Sequence, residues 1–311
     1  MTARGDAWRS RAVTAINGFR SRDTGQDSAH AYAYMAGACA MVYGWQHTWA
    51  RTYLQTVYNL ANPDGGWGLR EPYDAFGDGR VNPATTTYTV TLADHVGPVL
   101  LAGYKAGAVA RSRVQAVVDL LMSTPRIPVE RGQCIAYSRA EADAQPGYEV
   151  HNVSVGAAWF LHECAAAGFG ATGLHRLVTD VTVHQVQAYR PADTWWPYIA
   201  DGPNQDADHN AYSAEAMYRL AYWVGREVVY HHLTTAYADN AMAPIAHMRL
   251  VSLPSLGPAT MSRTQPGVTL WAELGDRWLP EIDAWIASPP SPAGTRYAQA
   301  AYFCARNAVN T

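Results

Sequence analysis

The chain has 311 residues, of which 49% are hydrophobic and 16% charged, with a formal net charge of −3. That balance points to a large buried core and away from disorder. With no basic tail or cluster, neither nucleic acid nor an anionic membrane surface is an expected partner, and no apolar run is long enough to suggest an integral membrane segment.

The first residues, "MTARGDAWRSRAVTAINGF", lack an apolar leader core, so a cytoplasmic location is expected. Cys39, Cys134, Cys164 and Cys304 are far apart and show no C-x-x-C spacing, which predicts free, buried thiols. Among 23 basic residues only Lys105 is a lysine, so Schiff-base chemistry is not the first expectation.

Taken in chain order, two kinds of helix alternate. "DAWRSRAVTAINGF" (6–19) has one apolar and one polar stripe, the pattern of a helix with one wet face. "SAHAYAYMAGACAMVYG" (28–44) is apolar almost all round, the pattern of a helix buried on every side. The alternation continues with "QHTWARTYLQTVYNLA" and "LADHVGPVLLAGYKAG", then "RSRVQAVVDLLM" and "YEVHNVSVGAAWFLHECAAAG", then "LHRLVTDVTVHQVQAY" and "ADHNAYSAEAMYRLAYWVG". Two weaker pairs follow. "REVVYHHLTTAYADNAM" leads to "GVTLWAELGDRW", and "LPEIDAWIAS" leads to "GTRYAQAAYFCARNA". Six outer and six inner helices make an all-α fold, an (α/α)6 toroid in one domain covering residues 1–311.

Four of the apolar segments open with a histidine: His30, His95, His151 and His209. The connections into the inner helices are long and rich in Gly, Pro, Trp and Asp, as in "NPDGGWGLREPYDAFGDGRVNPATT" and "RPADTWWPYIADGPNQ". Such loops commonly carry sites. In a ring they gather on one face, at the N-terminal ends of the inner helices, and the histidines then line the mouth of a central cavity.

Three constellations offer chemistry. Asp206, Asp208 and His209 open an inner helix. Capping alone accounts for one acid there, as it does for Ser28 before His30 and Asp94 before His95. The functional reading makes Asp208 a general acid, with Asp206, His209 and His151 as catalytic partners. The second constellation is aromatic and polar. Trp67, Tyr88, Tyr148, Trp195, Trp196, Tyr198 and Tyr212, with His30, His95 and Asn152, are candidate substrate-binding residues. Aromatic faces stack on sugar rings and also stabilise carbocations by about 0.5–2 kcal/mol per contact, and both uses fit. The third is the histidine set as a zinc site. Metal sites usually show a tight pair of ligands, and here each would come from a different helix. No metal or other cofactor is therefore the main expectation, with zinc as the minor alternative.

"PDGGWGL" (63–69) and "TWWPYIADGPNQDADHNAYSAEAMYRL" (194–220) resemble the α/α-toroid domains of terpenoid cyclases and protein prenyltransferases. Cyclases of that group that start by protonation carry Asp-x-Asp-Asp-Thr-Ala at the start of an inner helix. The matching residues here are Asp206-Ala207-Asp208-His209-Asn210-Ala211. The resemblance implies that Asp208 is the general acid. His209 replaces the last Asp of the motif and Asn210 its Thr, and the chain holds one ring where protonating cyclases usually pair two helical domains. The implied function is an intramolecular cyclase or isomerase of an apolar, unsaturated metabolite, terpenoid- or polyketide-like, in natural-product biosynthesis, working by acid initiation or by shape-guided ring closure in an aromatic-lined cavity. The expected partner is a small-molecule substrate. Two alternatives stand beside it: a glycan lyase or glycoside hydrolase acting on an oligosaccharide, because such enzymes also use α/α rings, and a non-enzymatic ligand-binding ring.

Overall fold

The computed structural model describes residues 2–22, 28–189, 196–200, 202, 209, 212–213, 216–217, 220, 268–289 and 293–310. Among these the fold is mostly helical, with nine α-helices and a single two-stranded hairpin. Helix α1 (Ala3–Arg20) starts where the Thr2 hydroxyl accepts a hydrogen bond from the Gly5 amide, an N-cap that satisfies one of the free donors. It buries Trp8, Ala12, Ala15, Ile16 and Phe19, a stripe at helical spacing. Helix α2 (Ala29–Tyr43) is buried along nearly its whole surface and stops at Gly44, whose φ of 91° ends the helix. Helix α3 (Thr48–Asn59) buries Ala50, Leu54 and Val57.

A π-helical turn (Thr91–Val96) runs directly into α4 (Gly97–Lys105). The dipeptide Gly97-Pro98 explains the change of pitch. Pro98 has no amide hydrogen for the carbonyl four residues back, so the α-helical ladder cannot continue through Asp94. The Gly97 amide instead reaches five residues back, to the Leu92 carbonyl. A Cβ at Gly97 would lie 2.3 Å from that carbonyl oxygen and 2.7 Å from the Phe160 ring, so only glycine fits.

Helix α5 (Arg111–Ser123) is followed by a hairpin of β1 (Arg126–Ile127) and β2 (Cys134–Ile135), antiparallel with Arg126 opposite Ile135. Then come α6 (His151–Ala166), α7 (Leu174–Ala188), α8 (Val268–Ala287) and α9 (Ala293–Asn310). Helices α9, α2, α4 with its π turn, and α6 pack against one another in that order. On their outer side α1 covers α9 and α2, α3 covers α2, α5 covers α4 and α6, α7 covers α6, and α8 covers α9. The first and last helices of the chain make the most extensive pairing. Gly18 permits that close approach, and Gly37 the approach of α2 to α9, since a Cβ on either would come within 2.6 Å of Tyr297 or Tyr302 respectively. All four cysteines are free and buried, as expected.

One expectation fails. "GVTLWAELGDRW" and "LPEIDAWIAS" are drawn above as an inner and an outer helix, but they form the single helix α8. Pro280 is exposed, and the helix passes through it. His209, Tyr212, Ser213, Ala216, Met217 and Leu220 are helical, with the last five buried. The segment "REVVYHHLTTAYADNAM" lies outside the described residues.

The loops before α4 and α6 interlock. Tyr88 bridges to Ser138, the Thr89 amide donates to the Tyr137 carbonyl, and the Arg139 amide donates to the Thr87 carbonyl. The buried Asp143 carboxylate accepts from Asn82 at 2.8 Å and Ser138 at 2.6 Å, tying both loops together beside the starts of two inner helices.

Candidate active site

A cavity of about 330 Å³ lies between the inner helices. Asp94, Leu101, Ala102 and Lys105 line it from the π turn and α4, Gly156, Trp159, Phe160 and Glu163 from α6, and Tyr302 and Arg306 from α9. Tyr212 completes the wall. On each helix these positions recur three or four residues apart, so each helix turns one face to the same space. The volume sits at the low end of small-molecule sites.

At one end the Tyr212 hydroxyl donates to Asp94 Oδ1 at 2.5 Å. Asp94 is 2% exposed and Tyr212 is 3% exposed. Asp94 is therefore not the helix cap that its position before His95 suggests. It sits inside the π turn, whose N-cap residue is Val90, and its carboxylate is spent on a phenol from another segment. Single π turns within helices are frequent at functional sites. Gly156 faces the pair. A Cβ there would lie 2.6 Å from Asp94 Oδ1 and 2.7 Å from the Tyr212 hydroxyl. The Trp159 ring lies 5.9 Å from that of Tyr212.

His95, the next residue on the π turn, belongs to a neighbouring cluster. Tyr34 Oη and His95 Nδ1 are 2.7 Å apart, and the His30 and His95 rings are 5.1 Å apart. Ser28 Oγ lies 2.8 Å from His30 Nδ1 and makes no cap bond to the helix, so its hydroxyl serves the histidine and not the helix end. Tyr34 stacks on Tyr302 at 5.1 Å, and Tyr302 lines the cavity. This stack joins the histidine pair to the Asp94 chamber.

Ring contacts among the described residues thus divide the four repeat histidines into two groups. In the second, His151 is 1% exposed, stacks on His184 at 5.4 Å, and its backbone amide donates to the Tyr198 carbonyl. The Tyr198 ring in turn meets His209 edge-on at 5.6 Å. Burial pushes His184 down to about 4. Among the described residues, no group of three or more His, Cys, Asp and Glu is placed to hold a metal ion.

The aromatic candidates separate by environment. Trp67 and Trp196 are core residues rather than mouth surfaces. They are buried, and their indole N–H groups donate to the carbonyls of Val57 and Gln185, each at 2.7 Å. Tyr88 is also buried, which pushes its hydroxyl up to about 12. Tyr148 stacks on Phe76 at 4.2 Å and donates to Asp78, so it holds the loop together. Asn152 lies one turn before Gly156 on the face that α6 turns to the cavity. Asp206, Asp208 and Trp195 lie outside the described residues. Asp94, Trp159, Phe160 and Tyr302 escaped selection as site residues. The acid–histidine step at 94–95 was the available signal for Asp94. For the three aromatics there was none, because they sit in segments whose pattern reads only as burial.

No protein-family model, curated protein or solved structure matches the chain.

Proposed function

We propose that the protein is an intramolecular cyclase or isomerase of a small, apolar, unsaturated metabolite, built as an (α/α)6 toroid. Alternating inner and outer helices, and the pairing of the first helix with the last, support the toroid reading. The observation that carries the function is the Asp94–Tyr212 hydrogen bond on the wall of an aromatic-lined cavity. A buried carboxyl whose Oδ1 accepts from the phenol can, when protonated on Oδ2, give that proton to an alkene, epoxide or carbonyl and take one back after ring closure. The atoms balance: one proton enters the substrate, one leaves the cyclised cation, and the mass is unchanged. The faces of Trp159, Phe160 and Tyr302 suit developing positive charge at about 0.5–2 kcal/mol each. By sequence, Asp208 stands four residues before Tyr212 and keeps its place as a second candidate acid.

The test is mass spectrometry of a host small-molecule extract incubated with wild type, Asp94→Asn or Tyr212→Phe. The expected result is a feature converted by the wild type to a new peak of the same mass, with conversion lost in Asp94→Asn and strongly reduced in Tyr212→Phe. Full conversion by Asp94→Asn overturns its role. A substrate split into smaller pieces, with an unsaturated sugar or a gain of water, supports the glycan reading instead.

A further inference from the structure

We infer that the substrate carries a hydroxyl group, held against the Asn152 carboxamide one helical turn from the Asp94–Tyr212 pair. This rests on reading the cavity as the reaction chamber, and it narrows the substrate to an unsaturated alcohol. Three observations support it.

The register of α6 places Asn152 in the chamber stripe. Gly156, Trp159, Phe160 and Glu163 line the cavity from this helix. At 3.6 residues per turn, Asn152 falls about 40° from Gly156 and about 20° from Trp159 around the axis, within the arc that the four lining residues span. Four residues are about 6 Å of rise. Asn152 therefore stands one turn on the N-terminal side of the point where Gly156 abuts Asp94 and Tyr212.

Two buried polar atoms on this face lack bonds. Asn152 and Trp159 are each 7% exposed. Asn152 Oδ1 and Trp159 Nε1 are buried and have no hydrogen-bond partner among the described residues. The buried indoles of Trp67 and Trp196 differ, since each donates to a backbone carbonyl. A buried donor or acceptor without a bond costs free energy, and a pure hydrocarbon entering the cavity would leave both atoms bare. The α6 face thus suits an occupant with hydrogen-bonding groups of its own.

The chemistry of the two atoms selects the group. An amide oxygen accepts, so whatever meets Asn152 Oδ1 must donate. The oxygens of ketones, esters and epoxides only accept, and so do those of a carboxylate. An indole N–H only donates, so Trp159 calls for an acceptor. A hydroxyl does both. An ammonium group also donates, but beside Asp94 it would favour the ionised carboxylate, and the acid must be protonated to start the reaction.

The probes are 1-phenylethanol, acetophenone and ethylbenzene. They share one skeleton and offer a donor with an acceptor, an acceptor alone, and neither. Their affinities for the full chain are measured by ligand-observed NMR titration. 1-Phenylethanol should bind wild type about tenfold more tightly than acetophenone. Asn152→Leu, similar in shape and apolar, should bring the two within about twofold of each other. Trp159→Phe should keep the lead of the alcohol over the ketone while weakening both against ethylbenzene. Asn152→Leu should also unfold at the same urea concentration as wild type or a higher one, because an unbonded carboxamide gives way to an apolar group.

Equal binding of the alcohol and the ketone to wild type overturns the hydroxyl, as does a lead that Asn152→Leu keeps. A lower unfolding midpoint for Asn152→Leu would show that the carboxamide serves the fold, and overturns it too. Tighter binding of 1-phenylethylamine than of 1-phenylethanol overturns the neutral group. In each of these cases the Asp94→Asn turnover test still decides the chamber by itself. If none of the probes binds wild type, the cavity reading falls with the proposal.

Discussion

Replacing Gly156 with alanine tests whether the Asp94–Tyr212 pair is the working feature of the cavity. The new methyl carbon would lie 2.6 Å from a carboxylate oxygen and 2.7 Å from a phenol oxygen. Carbon and oxygen in ordinary contact stand near 3.4 Å, so the pair must retreat by roughly 0.8 Å. The Asp94 side chain can rotate, but Tyr212 is a rigid ring beside Trp159. The bond between them therefore stretches or breaks. Leaving a buried donor and acceptor unpaired costs about 1–3 kcal/mol. Overpacking costs about 1–3 kcal/mol, part of it the same displacement counted twice. Alanine returns about 1 kcal/mol in helix propensity. The net expectation is a loss of about 2 kcal/mol in urea unfolding and a fall in turnover like that of Tyr212→Phe. Gly170→Ala is the control, because nothing stands within 4 Å of a Cβ there. If Gly156→Ala is as stable as wild type or gains the helix-propensity increment, and turns substrate over normally, the pair is incidental and the reasoning fails.

Two further expectations concern the loops and the second histidine group. His184 is held down to about 4 by burial, against an ordinary value of 6.5. Between those values the unfolded chain binds a proton that the folded chain does not, so this residue's contribution to stability falls as pH drops from 6.5 and levels off below about 4. Urea unfolding followed from pH 7 to pH 4 should show an acid-side loss on the order of 2–3 kcal/mol greater in wild type than in His184→Phe, which keeps the stack on His151. Identical pH slopes would show that His184 is solvated. Asp74 accepts hydrogen bonds from the amides of Phe76, Gly77, Asp78 and Gly79, and these lower its pKa, the bond from Gly79 most. Asp74→Ala should loosen that turn, so that trypsin cuts after Arg80 faster while the helical circular dichroism is unchanged. An unaltered cleavage rate would mean that the Asp78–Arg80 contacts alone hold the loop.

The helices were legible because burial writes itself into local pattern. The valine and leucine stripe of α5 and the all-round apolar α2 each follow from spacing alone. What was not legible depended on partners far away in the chain. Asp94 looked like a cap because caps are what an acid before an apolar run usually is. Its true partner is 118 residues later. The segments on either side of Leu279 read as two helices, yet they form the one helix α8, with Pro280 exposed inside it. Trp67 and Trp196 looked like mouth aromatics because they sit in polar loops, yet each indole turns inward to a helix carbonyl.

One dipeptide links these levels. Gly97-Pro98 breaks the α-helical ladder, and the π turn that results sets the register of the helix end carrying Asp94 and His95. In an α-helix consecutive residues point about 100° apart, so Asp94 and His95 are bound to face different neighbours. The wider π turn fixes which ones: Asp94 meets Tyr212 in the cavity, and His95 meets Tyr34 beside it. Tyr34 and Tyr302 stack to form the partition between the two, and Gly37 leaves room for Tyr302 to reach it. The acid–histidine step that recurs along the sequence therefore gives two adjacent compartments at residues 94–95. A carboxyl–phenol pair lies inside the chamber, and a histidine–tyrosine pair lies behind its wall.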